Sequence, residues 1–258
     1  MDPKSYGTAV KAELAFTGTI KAPMKGMGAR RIQEWLSFHG CRTGIDGDYG
    51  PATTTAVANF QTARSLPVTG NVDDVTWNAL TAPIHDALRD GVGMSLAERV
   101  HSIAKNHLSV HPIELGGANK GPWVRMYTGG YDGTEWAWCA GFITSVLRQA
   151  CQELATKMPV KGSLSCDTLA AQAQAAGLFV AEKDITSQKV QWEDLGHSYI
   201  FLVRRTPGDW THTGLGIGGN ASSFNTVEGN SNNEGSSDGY EVCSLIRASS
   251  KKDFIVLR

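Results

Sequence analysis

Cys139 is the residue whose surroundings are best arranged for chemistry. It stands in Glu135-Trp136-Ala137-Trp138-Cys139-Ala140-Gly141-Phe142, and Phe142, Ile143, Val146, Leu147, Ala150 and Leu154 follow at the i, i+3, i+4 spacing of an amphipathic helix. The pattern predicts Cys139 at a helix N-terminus, after a loop. Unsatisfied N–H groups and the positive end of the helix dipole favour a thiolate there, the form that attacks a carbonyl carbon. Cys151 lies far down the same helix and gains no such field. Cys166, just before a helical pattern over Asp167–Ala176, is the rival, without flanking aromatics. The five cysteines are odd in number and irregularly spaced, with no C-x-x-C pair, so neither a disulfide scaffold nor a structural zinc site is expected.

A thiol nucleophile needs a base that takes its proton and later returns it to the leaving amine. Of the seven histidines, His101 and His107 fall on an amphipathic helix and are expected to be solvated. His39 and His85 belong to another part of the chain, and His111 and His197 have loop-like surroundings. His212 opens Thr211-His212-Thr213-Gly214-Leu215-Gly216-Ile217, whose alternation predicts a strand. A further strand is expected at Phe224–Val227, leading into Glu228-Gly229-Asn230. Glu228 and Asn230 lie two apart and would share a strand face. Either can fix the tautomer of the imidazole while the other supports it or an oxyanion. Trp123, Trp136 and Trp138 are the aromatics expected to wall a substrate cleft.

These residues resemble the cysteine, histidine-dependent amidohydrolase/peptidase (CHAP) family. The resemblance rests on Trp136 to Phe142, His212-Thr213-Gly214 and Thr226-Val227-Glu228-Gly229-Asn230, in the family's order, and covers roughly Ser95 to Arg258. It implies a papain-like domain of helices packed on an antiparallel sheet. It also implies Cys139 as nucleophile, His212 as base then acid, and Glu228 as the orienting group with Asn230 adjacent. The chain departs from the family in the Thr after the histidine and in the long helical stretch Leu154–Trp192. Some relatives carry calcium near the cysteine. Asp132 and Glu135 are the carboxylates at hand, but two carboxylates in a glycine loop read as solvated, and no metal or other cofactor is expected.

The elements needed to position this site divide the chain. Helical patterns occupy Ala29–Phe38 (Ile32, Trp35, Leu36 on one face), Pro51–Arg64 (Ala56, Val57, Phe60) and Asp73–Leu80, where Val75, Trp77 and Leu80 are expected to be buried. Asp46 and Asp48 read as turn and capping groups. The run Ile32-Gln33, Leu36, Gly40, Asp46-Gly47-Asp48-Tyr49-Gly50-Pro51, Thr54, Ala56-Val57, Phe60-Gln61, Leu66, Thr69-Gly70, Thr76-Trp77 and Leu80 resembles the peptidoglycan-binding domain carried by many cell-wall enzymes, which implies wall targeting. The expected fold class is α+β: a small three-helix N-terminal bundle plus the papain-like domain. The expected divisions are an N-terminal extension (1–24), the binding domain (25–82), a linker (83–94) and the hydrolase domain (95–258). Gly218–Ser223 and Asn230–Gly239 are expected to be loops.

Composition limits the alternatives. A formal net charge of −1 gives no basic surface for nucleic acid, and no apolar run approaches the roughly 20 residues of a membrane span. The first residues lack the apolar core of a secretory signal. The expectation is therefore a monomer made in the cytoplasm, partnered by peptidoglycan and by neither nucleic acid nor membrane. It would reach the wall through a phage-type pore or a secretion system. The expected reaction is amide or peptide hydrolysis in peptidoglycan, as in an endolysin. An antibacterial effector or an autolysin would share the chemistry, a silent wall-binding protein would lack it, and a metalloenzyme using His212 would need a second ligand at suitable spacing.

Overall fold

The computed structural model describes residues 6–234 and 238–258. Residues 1–5 of the expected extension and 235–237 of the expected Asn/Ser-rich loop lie outside them. In chain order the elements are α1 (Thr8–Leu14), β1 (Met24–Lys25), α2 (Met27–Phe38), β2 (Asp48–Tyr49), α3 (Pro51–Ala63), α4 (Asp74–Ala87), α5 (Leu96–Val110), α6 (Pro122–Thr128), α7 (Cys139–Glu153), α8 (Cys166–Ala175), β3 (Phe179–Val180), α9 (Glu182–Thr186), a 3-10 turn (Trp192–Leu195), β4 (Ser198–Thr206), β5 (Asp209–Ile217), β6 (Ser223–Ser231), β7 (Glu241–Ala248) and β8 (Lys252–Val256). The class is α+β, with a helical N-terminal region and a sheet-containing C-terminal region. The chain forms two compact units: one from the chain up to Asp86 with Ile113–Thr134, the other from Ala87–Pro112 with Glu135–Arg258.

In the N-terminal unit α2, α3 and α4 bury the faces their periodicity marks: Ile32, Trp35 and Leu36, then Val57 and Phe60, then Trp77, Leu80 and Ile84. Val75 departs from expectation and is exposed, because the buried stripe of α4 runs 77, 80, 81, 84 and Val75 points away from it. Two buried glutamines stitch the turns to the helices. Gln33 donates to Asp46 Oδ1, the Asp48 carbonyl and Thr53 Oγ1, and accepts from the Gly47 N–H. Gln61 does the same around Thr69, Asn71 and Thr76, and accepts from the N–H groups of Thr69 and Gly70. Each satisfies turn backbone groups that burial would otherwise leave unpaired.

This unit extends beyond the expected 25–82. Trp77 Nε1 donates to the Leu14 carbonyl, Ile20 pairs with Val72, and Trp123 of α6 sits edge-on to Trp35. The segment expected to be an irregular part of the hydrolase domain thus contributes helix α6 here. The expected linker begins inside α4, which continues through Pro83 to Ala87.

The C-terminal unit is a six-stranded antiparallel sheet in the order β3-β8-β4-β5-β6-β7. Tyr199-Ile200-Phe201-Leu202 is buried on both sides, as a central strand with covered faces should be. Tyr199, Phe201, Phe224 and Phe254 form one core with Trp192, Leu195 and Ile185. Helix α7 packs on β5 and β6 and against α5. Its approach to β6 is close: a Cβ on Gly229 would lie 2.7 Å from Phe142 Cβ and from the Trp138 ring. On β5, Cβ atoms at Gly214 and Gly216 would meet the rings of Phe201 at 2.8 Å and Tyr199 at 2.2 Å. These glycines let aromatics lie over the strand that carries His212.

Candidate active site

Helix α7 begins at Cys139, with Trp138 as its cap residue and no side chain capping the end. The first N–H groups of a helix lack intrahelical partners, and with the helix dipole they favour a thiolate on its first residue. His212 lies inside β5, opposite Val203 of β4, and Glu228 lies on the neighbouring strand β6. His212 Nε2 and Glu228 Oε2 are 2.8 Å apart, and both residues are almost fully buried. His212 Nδ1 has no hydrogen-bond partner among the described residues, which leaves that nitrogen for the thiol.

The electrostatics are those of an ion pair. A hydrogen bond from Cys166, the charge of His212 and the Thr213 backbone N–H together hold the Cys139 thiol well below its usual range, against the effect of burial. Burial alone would lower His212, but the Cys139 thiolate and Glu228 raise it to about 9. Burial would likewise raise Glu228, yet Arg247 and His212 hold it down at about 2. These shifts favour a thiolate beside an imidazolium, backed by a carboxylate. Such a pair can attack a carbonyl and protonate the departing amine.

Between the two candidates for the group that orients His212, Glu228 makes the bond. Asn230 accepts the Trp138 backbone N–H at 2.8 Å and donates to the Gly239 carbonyl at 2.6 Å. The expected shared face is lost because the register shifts between Glu228 and Ser231 and Asn230 takes a left-handed φ of 56°, which breaks strict alternation. Asn230 therefore holds the residue that precedes Cys139.

The tryptophans also part company. Trp136 is half-buried, and Trp138 is fully buried against β6. Trp123 is fully buried in the N-terminal unit, against Trp35 and Phe38. Trp123 and Trp138 are packing residues, not cleft walls. His107 is buried rather than solvated, because it shares the inward face of α5 with Val100, Ile103 and Ala104; burial lowers its pKa to about 3. Asp132, expected to be solvated, is paired with Arg125 at 2.9 Å. Among the described residues no three His, Cys, Asp or Glu side chains form a metal-holding group.

Arg247 has no signal in the sequence, and Cys166 takes a place beside Cys139 that the sequence does not show. Arg247 on β7 forks onto Glu228, Nε to Oε1 at 2.8 Å and Nη2 to Oε2 at 2.6 Å, while Thr226 Oγ1 donates to Oε1 at 2.6 Å. The strand Glu241–Ala248 follows the loop-like Asn/Ser run and was not anticipated, so nothing pointed to its arginine. Cys166, read as a rival nucleophile, has its Sγ 3.9 Å from that of Cys139.

Comparison with known proteins addresses the N-terminal unit. Residues 26–80 match the family described as "Putative peptidoglycan binding domain". The structure titled "The crystal structure of SleB N-terminal domain" matches at 33% identity with a TM-score of 0.26, over 26% of this chain and 96% of that one. No curated protein matches the chain. The family match over residues 26–80 supports peptidoglycan as a partner of the N-terminal unit.

Proposed function

We propose that a peptidoglycan-binding domain at residues 26–80 brings to the cell wall a cysteine hydrolase carried by the C-terminal unit, which cleaves an amide or peptide bond there. The observation that carries the reading is the run Cys139, His212, Glu228: a thiol on the first residue of a helix, next to an imidazole whose far nitrogen lies 2.8 Å from a buried carboxylate. The order and spacing of these residues, with their resemblance to the CHAP family, support the same assignment.

The chemistry follows from the geometry. The Cys139 thiolate attacks the carbonyl carbon, and the oxyanion develops beside the N–H groups of the first turn of α7. One such donor is typically worth about 2.7–4 kcal/mol of transition-state stabilisation. His212 delivers a proton from Nδ1 to the departing amine, leaving a thioester on Cys139. The same nitrogen then takes a proton from water, which attacks the thioester and restores the thiolate. Glu228 keeps the imidazole oriented and stabilises its charged form.

The test is mass spectrometry of purified peptidoglycan digested by the wild type and by Cys139→Ala. Stem peptides or new amino termini seen only with the wild type establish the reaction and name the bond. Equal products from Cys139→Ala would overturn the assignment. Absence of products from both, with the wall still pulled down, would favour a binding protein without catalysis.

A further inference from the structure

The catalytic run described above leaves one reactive group beside it without a role. Cys166 is the first residue of α8, as Cys139 is of α7, so two helix N-termini present their first thiols to each other with sulfurs 3.9 Å apart. Cys166 is held from both sides. Ser165 caps the helix by accepting the Thr168 N–H. Asp167 accepts the Trp210 N–H at 2.7 Å, which fastens the first turn of α8 to β5, the strand that carries His212. Both cysteines are buried.

A buried thiolate is costly unless donors surround it. The charge of His212 and the Thr213 N–H are two influences that favour the Cys139 thiolate. We propose that Cys166 is a third: a positioning residue whose S–H donates to the Cys139 thiolate and keeps that sulfur ionised and aimed. The inference rests on the reading of Cys139 as nucleophile and adds a residue to it.

The two thiols are chemically unequal, as this role needs. Contact with the Cys139 sulfur and its negative charge, together with burial and the neighbouring Asp167, pushes the Cys166 thiol upward, so it keeps its proton while Cys139 loses its own. Two adjacent thiolates would repel each other; one thiolate with one thiol shares a single proton between two sulfurs, as coupled sites do. Cys139, and not Cys166, is among the groups that raise His212. Cys166 thus serves as a donor that the pH of the reaction does not titrate.

The experiment reads Cys139 directly and does not depend on lytic activity. The intact chain is treated with iodoacetamide across the acid and alkaline ranges, and the rate of modification at the Cys139 peptide is followed by mass spectrometry. It is done for the wild type, Cys166→Ala, Cys166→Val, which keeps side-chain volume without the thiol, and Cys166→Ser, which restores a donor. Near-UV circular dichroism selects the variants that keep the fold. The expected result is that Cys166→Ala and Cys166→Val make Cys139 harder to ionise, so that its modification in acid slows about tenfold. Cys166→Ser recovers most of that loss. A Cys139 profile unchanged by removal of the thiol overturns the proposal, as does a serine variant no better than alanine. If wild-type Cys139 itself titrates as an ordinary thiol, the nucleophile reading falls and this inference falls with it. A low wild-type value unchanged in the variants removes only the role of Cys166.

Discussion

Asn230 Oδ1 accepts the backbone N–H of Trp138 at 2.8 Å, and its Nδ2 donates to the Gly239 carbonyl. Through this side chain, β6 holds the residue immediately before Cys139. Asn tolerates the left-handed backbone that Asn230 adopts, which alanine does not favour. Asn230→Ala should therefore lose about 2–4 kcal/mol, from an unpaired buried N–H and an unfavourable φ. Asn230→Gly keeps the backbone and should lose about 1–3 kcal/mol, from the lost side-chain hydrogen bonds without the φ penalty. Urea unfolding of the two variants measures the split. If both match the wild type, the tether does not hold the head of α7.

The ion pair sets a bell-shaped pH dependence. Turnover should rise as Cys139 ionises, on an acid limb well below the usual thiol range, and fall as His212 loses its proton near pH 9. A pH–rate profile of wall hydrolysis checks both limbs. An alkaline limb near the ordinary histidine value would show that the imidazolium is not stabilised as described. Stability carries a separate signature from Glu228, whose folded value of about 2 lies below its ordinary 4.5. A depressed carboxylate stabilises the fold fully above the ordinary value and loses that contribution as pH falls through the folded one. The chain should lose stability between about pH 4.5 and 2, and Glu228→Gln should lack this component of the loss.

Arg247 acts on His212 through Glu228. Its fork occupies both carboxylate oxygens, and lysine cannot reproduce two parallel bonds. Arg247→Ala leaves a buried carboxylate without its main counter-charge, a change that typically costs about 3–5 kcal/mol; the partial exposure of Arg247 puts this case at the lower end. Arg247→Lys should keep the fold while freeing the carboxylate from its fixed geometry, so the alkaline limb moves below pH 9 and turnover falls more than wall binding. An unshifted limb in a folded Arg247→Lys variant would reduce the arginine to a structural brace.

The candidate site was legible where side-chain type, local periodicity and chain order coincide. Cys139 announces its helix through the apolar spacing that follows it, and His212 and Glu228 lie on strands whose alternation is plain. Asn230 was misplaced because a register shift has no signature in spacing. Arg247 was missed because β7 lies beyond a polar run that resembles a loop, and its alternation is interrupted by the apolar neighbours Val242-Cys243 and Leu245-Ile246. The N-terminal helices were legible for the same reason as α7. The contribution of Thr8–Leu14 and Pro122–Thr128 to their unit was not, since a contact between residues far apart in the chain leaves no local pattern. Glu13 and Arg125 are such a pair.

Gln61 offers a test of how the N-terminal turns are held. Its amide makes five hydrogen bonds to Thr69, Gly70, Asn71 and Thr76, and the side chain is fully buried. Gln61→Leu keeps most of the volume and removes every one. The N–H of Gly70 is then buried without this partner, and the loss should be about 1–3 kcal/mol for each group so stranded. Peptidoglycan pull-down should weaken in parallel with thermal stability. A variant as stable as the wild type would mean that water replaces the amide.

Arg125 makes the strongest claim about the limits of the N-terminal unit. Its guanidinium bonds Glu13 through Nε at 2.7 Å and Nη2 at 3.0 Å, Glu34 through Nη2 at 2.6 Å, and Asp132 through Nη1 at 2.9 Å. Glu13 and Glu34 are almost fully buried; Arg125 is the cation they share, with Arg30 also at Glu34 and Arg31 at Glu13. Of these groups only Arg30, Arg31 and Glu34 fall within the family segment 26–80. Arg125→Met should destabilise the unit by about 3–5 kcal/mol, the typical result of stranding a buried charge. Adding Glu13→Gln and Glu34→Gln to that variant should restore part of the loss, since neutral amides strand less. Thermal unfolding of the full chain, with pull-down on purified peptidoglycan as the second reading, distinguishes the cases. Wild-type unfolding in Arg125→Met would mean that the peptidoglycan-binding segment is stable without the residues that flank it in the chain.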